Sequence, residues 1–130
     1  MTSHLPTALR ACARGFYPAE ASAELLISHE SFLARSDFTG RFIHVGTSIT
    51  NGATTMAQID WPAAITALNS GGIPCSGGER RILQLAASLA AGIPVDLRDA
   101  VTGLDEHNLR RLLTAISHAA GKRPLSWENS

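Results

Sequence analysis

The sequence predicts a single α+β domain that is mostly helical and carries one central β-hairpin. Apolar residues recur at helical spacing through most of the chain, whereas residues 41–61 alternate as a strand pair would. A length of 130 residues with 45% hydrophobic residues suits one domain with one core. We expect residues 1–121 to form the globular domain and residues 122–130 to form a polar C-terminal tail.

Two helices are predicted in the N-terminal third. The first spans residues 5–16 and is ended by Gly15. The second begins at Tyr17-Pro18, because proline is tolerated at the first helical position, where no donor is lost. Its apolar spacing continues to Arg35, so we expect the helix to end there and a turn to begin at Ser36. The residues predicted to be buried by this second helix are Ala21, Leu25, Leu26, His29, Phe32 and Leu33.

The central hairpin is predicted from a turn signal between two β-prone runs. Asn51-Gly52 separates these runs, and both residues tolerate a positive φ. A lone two-stranded hairpin is only marginally stable in water. We therefore expect it either to pack on the helices or to pair with a second copy in a four-stranded sheet.

Polar caps predict the remaining helices. Each begins after a serine or aspartate that can accept a hydrogen bond from an unpaired helix amide. The caps and their predicted helices are Asp60 (61–68), Ser76 (77–91), Asp96 (97–101) and Asp105 (106–120). Ser76 and Glu79 also have the spacing of a capping box. In the last helix, the spacing predicts a buried stripe of Leu109, Leu112, Leu113, Ile116 and Ala120.

Composition restricts the class of protein. Eleven basic residues balance eleven acidic ones, and a neutral chain is atypical of a protein that neutralises phosphates. Cys12 and Cys75 form neither a CxxC nor a zinc-ligand spacing, which favours a reducing compartment. The N-terminus lacks a signal pattern, so we expect a soluble, cytoplasmic protein. Nearly all basic residues are arginine and alanine is the commonest residue, as is typical of GC-rich bacterial genomes.

Residues 76–79, Ser-Gly-Gly-Glu, resemble the signature motif of ABC-type ATPases, and the resemblance extends to residue 105. In that family the serine and the two glycine amides hold a terminal phosphate across a dimer. The resemblance also implies a magnesium-site acid and a later loop that ends in Leu-Asp. Carried over residue by residue, it implies a ligand site made of Ser76, Gly77, Gly78, Asp99 and Asp105.

The chain departs from the ABC-type pattern in the parts that carry the chemistry. It has no GxxxxGK[ST] loop to cradle the other phosphates, and Ala100 stands where a catalytic glutamate would follow the acid. Helix capping accounts for the same residues, and we favour it over ATP hydrolysis. Residues 72–121 also resemble small proteins of actinobacteria, a resemblance that supplies no function.

Other reactive residues are isolated in the sequence. Cys75 lies just before a helix N-terminus, where the macrodipole would lower a thiol pKa, but the sequence offers no neighbouring base. A partly buried structural cysteine is therefore favoured. His29 lacks a companion at metal-ligand spacing, so we expect a hydrogen-bonded histidine at the core edge. No catalytic residues, metal site or cofactor are predicted.

These observations predict a small, non-catalytic binding or regulatory module that acts through protein–protein contacts and forms a homodimer. One alternative is a nucleotide- or phosphate-binding protein that uses the helix N-terminus at Ser76, Gly77 and Gly78. A second alternative is a DNA-binding regulator that uses the last helix, with Arg110 and Arg111 as phosphate contacts. Nucleic acid is the less favoured partner, because acidic residues begin that helix.

Overall fold

In the computed structural model, which describes residues 4–48 and 54–122, one antiparallel hairpin packs against a helical domain. The elements follow in the order α1 (Leu5–Ala13), α2 (Tyr17–His29), α3 (Ser36–Phe42), β1 (Ile43–Ser48), β2 (Thr54–Ile59), α4 (Trp61–Asn69), α5 (Gly77–Ala91), α6 (Leu97–Thr102) and α7 (Glu106–Ala119). The predicted fold class, a mostly helical α+β domain with one hairpin, is confirmed. In the described ranges no helix is both long and apolar enough to cross a bilayer.

The core is built around α2, which packs mainly against α5 and α7. Leu25 of α2 and Ile82 of α5 are completely buried in the same apolar cluster. Between these helices the buried Ser22 hydroxyl donates to the Ala86 carbonyl oxygen at 2.8 Å. This hydrogen bond satisfies the buried serine hydroxyl, which would otherwise destabilise the packing.

The end of α2 differs from the sequence prediction. The helix stops at His29, and Glu30 adopts a positive φ of 73° instead of continuing to Arg35. Phe32 and Leu33 are nevertheless buried, as predicted, because the turn that follows directs them into the core. The apolar spacing therefore identified the correct buried residues but could not distinguish a helix from a buried turn.

A further difference is α3, which lies where a turn was predicted. Phe38 and Phe42 lie one helical turn apart on α3 and are both buried. Their ring centroids are 5.4 Å apart, and Phe38 also lies 5.3 Å from the Phe32 ring. This aromatic packing stabilises a short helix whose glycine and threonine have low helix propensity.

The hairpin pairs β1 with β2 in a register from Ile43 opposite Ile59 to Ser48 opposite Thr54. The predicted Asn51-Gly52 turn falls in residues 49–53, outside the described residues. Of the two predicted arrangements, packing on helices is observed within the chain, because β2 lies against α1. Pairing with a second copy stays a prediction.

The predicted caps are confirmed. Side chains of four residues accept hydrogen bonds from the amides three positions on, and these caps are Asp60, Ser76, Asp96 and Asp105. Gly92 ends α5 with a φ of 69°, a left-handed conformation in which a side chain would be strained. The helices of the C-terminal half therefore begin within one residue of their predicted positions, because their starts are determined locally.

Candidate functional site

The predicted phosphate-binding segment forms a complete capping box at the start of α5. The Ser76 Oγ accepts a hydrogen bond from the Glu79 amide at 3.1 Å, and the Glu79 Oε1 accepts one from the Ser76 amide at 2.8 Å. The second carboxylate oxygen of Glu79 accepts a hydrogen bond from the Ser31 hydroxyl. This last bond is the main reason that the pKa of Glu79 is lowered. The serine and glutamate of the motif are thus engaged within the fold.

Asp99 is linked to the same region through Arg81, a residue that was not singled out from the sequence. The Arg81 Nε donates to the Asp99 carbonyl oxygen at 3.1 Å, and its Nη2 lies 3.6 Å from the Asp99 carboxylate. A Cβ on Gly77 would stand 3.0 Å from the Arg81 Nη1, and a Cβ on Gly103 would overlap the guanidinium. Two of the glycines therefore make room for this arginine side chain.

Asp105 lies at the N-terminus of α7, close to the N-terminus of α5. Its carboxylate accepts a hydrogen bond from the Asn108 amide at 2.8 Å. The buried Asn108 side chain in turn accepts from the Arg111 guanidinium at 2.9 Å and lies 3.9 Å from the position of a Cβ on Gly78. All five predicted ligand residues are therefore helix caps or first-turn residues, and Arg81 and Asn108 connect the helix starts that carry them.

His29 lies beside this region with a buried Nδ1 atom that has no hydrogen-bond partner among the described residues. The expectation of a hydrogen-bonded histidine is therefore wrong for this nitrogen. Burial lowers the pKa of His29, and the charge of Arg111 lowers it further. The imidazole ring stacks on Phe32 with a centroid distance of 6.2 Å, so packing against the core holds it in place.

The remaining reactive groups do not gather into a reaction centre within the described ranges. Burial raises the pKa of the Cys75 thiol, which opposes the predicted effect of the helix dipole. No group of three or more histidine, cysteine, aspartate or glutamate side chains in this part of the chain is placed to hold a metal ion. A cleft of about 220 Å³ beside α1, α2 and β2 is lined mainly by apolar residues, among them Ala23 and Trp61, together with Cys12.

The outer face of α7 carries an apolar stripe that the helical spacing had placed in the core. Leu109, Leu113 and Ile116 are 38%, 47% and 45% exposed, respectively. They lie four and three residues apart, so their side chains share one side of the helix. We call these three residues the α7 stripe. Its exposure is the largest departure of the structure from the predicted burial pattern.

The side of α7 next to the α7 stripe is the one that packs. Its buried residues are Asn108, Leu112, Thr114 and Ala115. Leu112 and Leu113 are adjacent and point about 100° apart around the helix, and only Leu112 is buried. The pairing of His118 with Glu20 of α2, at 2.7 Å, holds the C-terminal half of α7 in the orientation that buries Leu112. Adjacency alone did not predict this difference, since the adjacent Leu25 and Leu26 of α2 are both buried.

The two arginines of the DNA-binding alternative have neighbours on the same helix. The Arg110 guanidinium lies 2.8 Å from the Glu106 carboxylate, and Arg111 donates to Asn108. The first turn of α7 contains Glu106 directly after the Asp105 cap. Negative charge at this end of the helix disfavours an approach to phosphate.

Comparisons of the chain with protein-family models, with curated proteins and with solved structures found no match. Function is therefore inferred from the chain's own geometry.

Proposed function

We propose that this protein is a small, non-catalytic binding or regulatory module that acts through protein–protein contacts, and that the α7 stripe is its contact surface. The observation that carries the proposal is the exposure of Leu109, Leu113 and Ile116 on one side of a well-capped helix. Removing apolar surface from water stabilises a complex by about 25 cal/mol per Å². Clustered exposed apolar side chains on a folded domain are typical of interaction sites.

The spacing of the stripe suits a helical contact. Anchors four and three residues apart are those that an amphipathic helix presents to a partner groove or to another helix. α6 also exposes apolar side chains one turn apart, Leu97 at 57% and Val101 at 38%. The neutral net charge of the chain fits a surface that recognises apolar shape more than a charged polymer.

The two alternative functions gain less support. A phosphate site at Ser76 would compete with the capping box, whose serine oxygen already accepts the Glu79 amide. A DNA contact through Arg110 would compete with its Glu106 neighbour. A cytoplasmic location remains part of the proposal, and the free thiols of Cys12 and Cys75 are compatible with a reducing compartment.

The experiment compares two substitutions that each place a glutamate on an exposed aliphatic position. Leu113→Glu disrupts the α7 stripe, whereas Val45→Glu alters β1, where Val45 is also largely exposed. Wild type and both variants serve as baits for protein partners, and the mass of each is measured by light scattering. We expect Leu113→Glu to lose at least about tenfold in association with whichever partner wild type binds, and Val45→Glu to retain it.

The folded state of both variants is checked by thermal unfolding, because substitutions at exposed positions usually change stability by no more than about 0.5 kcal/mol. If all three proteins associate equally, with themselves and with captured partners, the α7 stripe is not a contact surface and the proposal fails.

A further inference from the structure

We infer that the occupant of the α7 stripe is a second copy of this chain, with the two α7 helices packed antiparallel about a two-fold axis beside Leu113. This inference rests on the proposed contact surface and names its partner. In a two-fold interface the same patch serves both copies, so the patch must be complementary to itself.

The stripe meets this requirement in an antiparallel arrangement. With Leu113 on the axis, Leu109 of one copy faces Ile116 of the other, and the same contact occurs twice. Large aliphatic side chains then meet along the whole stripe. Spacings of four and three residues are those of helices that interdigitate at a small crossing angle.

Charge along α7 selects the antiparallel orientation. The acidic Glu106 lies at the start of the helix, and the exposed Lys122 lies just beyond its end. Antiparallel packing brings Glu106 of each copy toward Lys122 of the other, whereas parallel packing brings like charges together. The helix macrodipoles also oppose each other favourably only in the antiparallel pair. The Glu106 carboxylate also lies 2.8 Å from Arg110 on the same helix.

The expected complex is weak. Three side chains per copy bury far less than the roughly 800 Å² per partner of a standard stable interface. We expect a dissociation constant in the micromolar range, so that the mass of the species changes with concentration.

The experiment uses cysteine cross-linking of the full chain. Cys12 and Cys75 are replaced by serine, and the mass of this background is first shown to match wild type. Leu113→Cys is then compared with Ala120→Cys, which is exposed at the end of the same helix. In the antiparallel pair the two sulfurs introduced by Leu113→Cys meet at the two-fold axis. The two residues at position 120 are instead about 20 Å apart along the direction of the helices.

Under mild oxidation, loss of one proton and one electron from each of two thiols forms the disulfide, and the added oxidised glutathione accepts both electrons and both protons. We expect a covalent dimer for Leu113→Cys and at least about tenfold less for Ala120→Cys. Glu106→Lys and Lys122→Glu should each raise the dissociation constant about three- to tenfold, and the double variant should restore it.

Three results would overturn the inference. Equal cross-linking at both positions would show parallel helices, and a dimer without cross-linking at position 113 would show another interface, such as the outer edge of β1. A strictly monomeric wild type at millimolar concentration would show that no second copy binds. None of these three results alone contradicts the proposed function. That proposal would still hold if Leu113→Glu lost the binding of a different protein and Val45→Glu kept it.

Discussion

The Arg81 guanidinium lies so close to Gly103 that a Cβ at that position would overlap its Nε and Cζ atoms. The φ of Gly103 is −102°, a backbone conformation open to any residue. The glycine is therefore required by the arginine that packs on it, and not by backbone strain. This contact also orients Arg81 toward Asp99, which joins α5 to α6.

The first prediction tests this contact with a double-mutant cycle. Gly103→Ala should destabilise the protein by about 1 kcal/mol, because it displaces Arg81 from Asp99, and exposed pairs of this kind are worth about 0–1 kcal/mol. In an Arg81→Ala background the same substitution should cost nothing. Urea unfolding measures the free energies, and additive effects would show that the two residues are not coupled.

The second prediction concerns the adjacent leucines of α7. Leu112→Ala should cost about 2–5 kcal/mol, because Leu112 is buried and the change leaves a cavity. Leu113→Ala should cost less than about 1 kcal/mol, because its side chain is nearly half exposed. Thermal and urea unfolding of the two variants give the comparison. Equal losses would mean that both leucines are in the core, as the spacing alone predicted.

The adjacent leucines of α7 illustrate a feature that the sequence did not predict, namely which side of the helix is buried. Both faces of α7 carry apolar residues, and the choice between them depends on α2, through the pairing of Glu20 with His118. Such a choice is made by tertiary packing, which a periodic pattern does not contain. The end of α2 was missed for a similar reason, since Phe32 is buried whether it lies in a helix or in a turn.

The helix N-caps, in contrast, were predicted correctly from the sequence. The caps at Ser76, Asp96 and Asp105 form as predicted, because each needs only a side-chain oxygen and an amide three residues away. Within the candidate site, the sequence pattern identified the cap residues Ser76 and Asp105, but it did not identify Arg81. Its partners lie 18 and 22 positions further along the chain, and no local motif connects them.

The third prediction is a loss of stability in mild acid that is due to His29. Its pKa is lowered in the folded protein by burial, and Arg111 lowers it further, although Glu79, Asp105 and Glu30 act in the opposite direction. The unfolded chain then binds a proton more readily than the folded protein does. The contribution of His29 is therefore favourable above the unfolded pKa of about 6.5 and is lost as the pH falls below it.

The measurement for His29 is the free energy of unfolding between about pH 5 and pH 8. His29→Gln, which does not titrate, should give a flatter profile than wild type in this window. Glu79, whose pKa is lowered, affects stability in more acidic solutions than this window. If the free energy of unfolding of wild type and of His29→Gln depended on pH in the same way, His29 would not be the cause of the loss of stability in mild acid.

A fourth prediction separates capping from phosphate binding at Ser76. Ser76→Ala should lower the stability of the protein by about 1 kcal/mol, because the Glu79 amide loses its acceptor. Millimolar ATP with magnesium should leave the melting temperature of wild type unchanged. A rise in wild type that is absent in Ser76→Ala would instead support the nucleotide-binding alternative, since a ligand stabilises the state to which it binds.

The most direct test of the α7 stripe as a contact surface is light scattering of wild type, Leu113→Glu and Val45→Glu over a range of concentrations from micromolar to millimolar. We expect the mass of wild type and Val45→Glu to rise from one chain toward two, while Leu113→Glu remains at one chain throughout. Three superimposable curves would contradict the account, because the exposed side of α7 would then have no role in association.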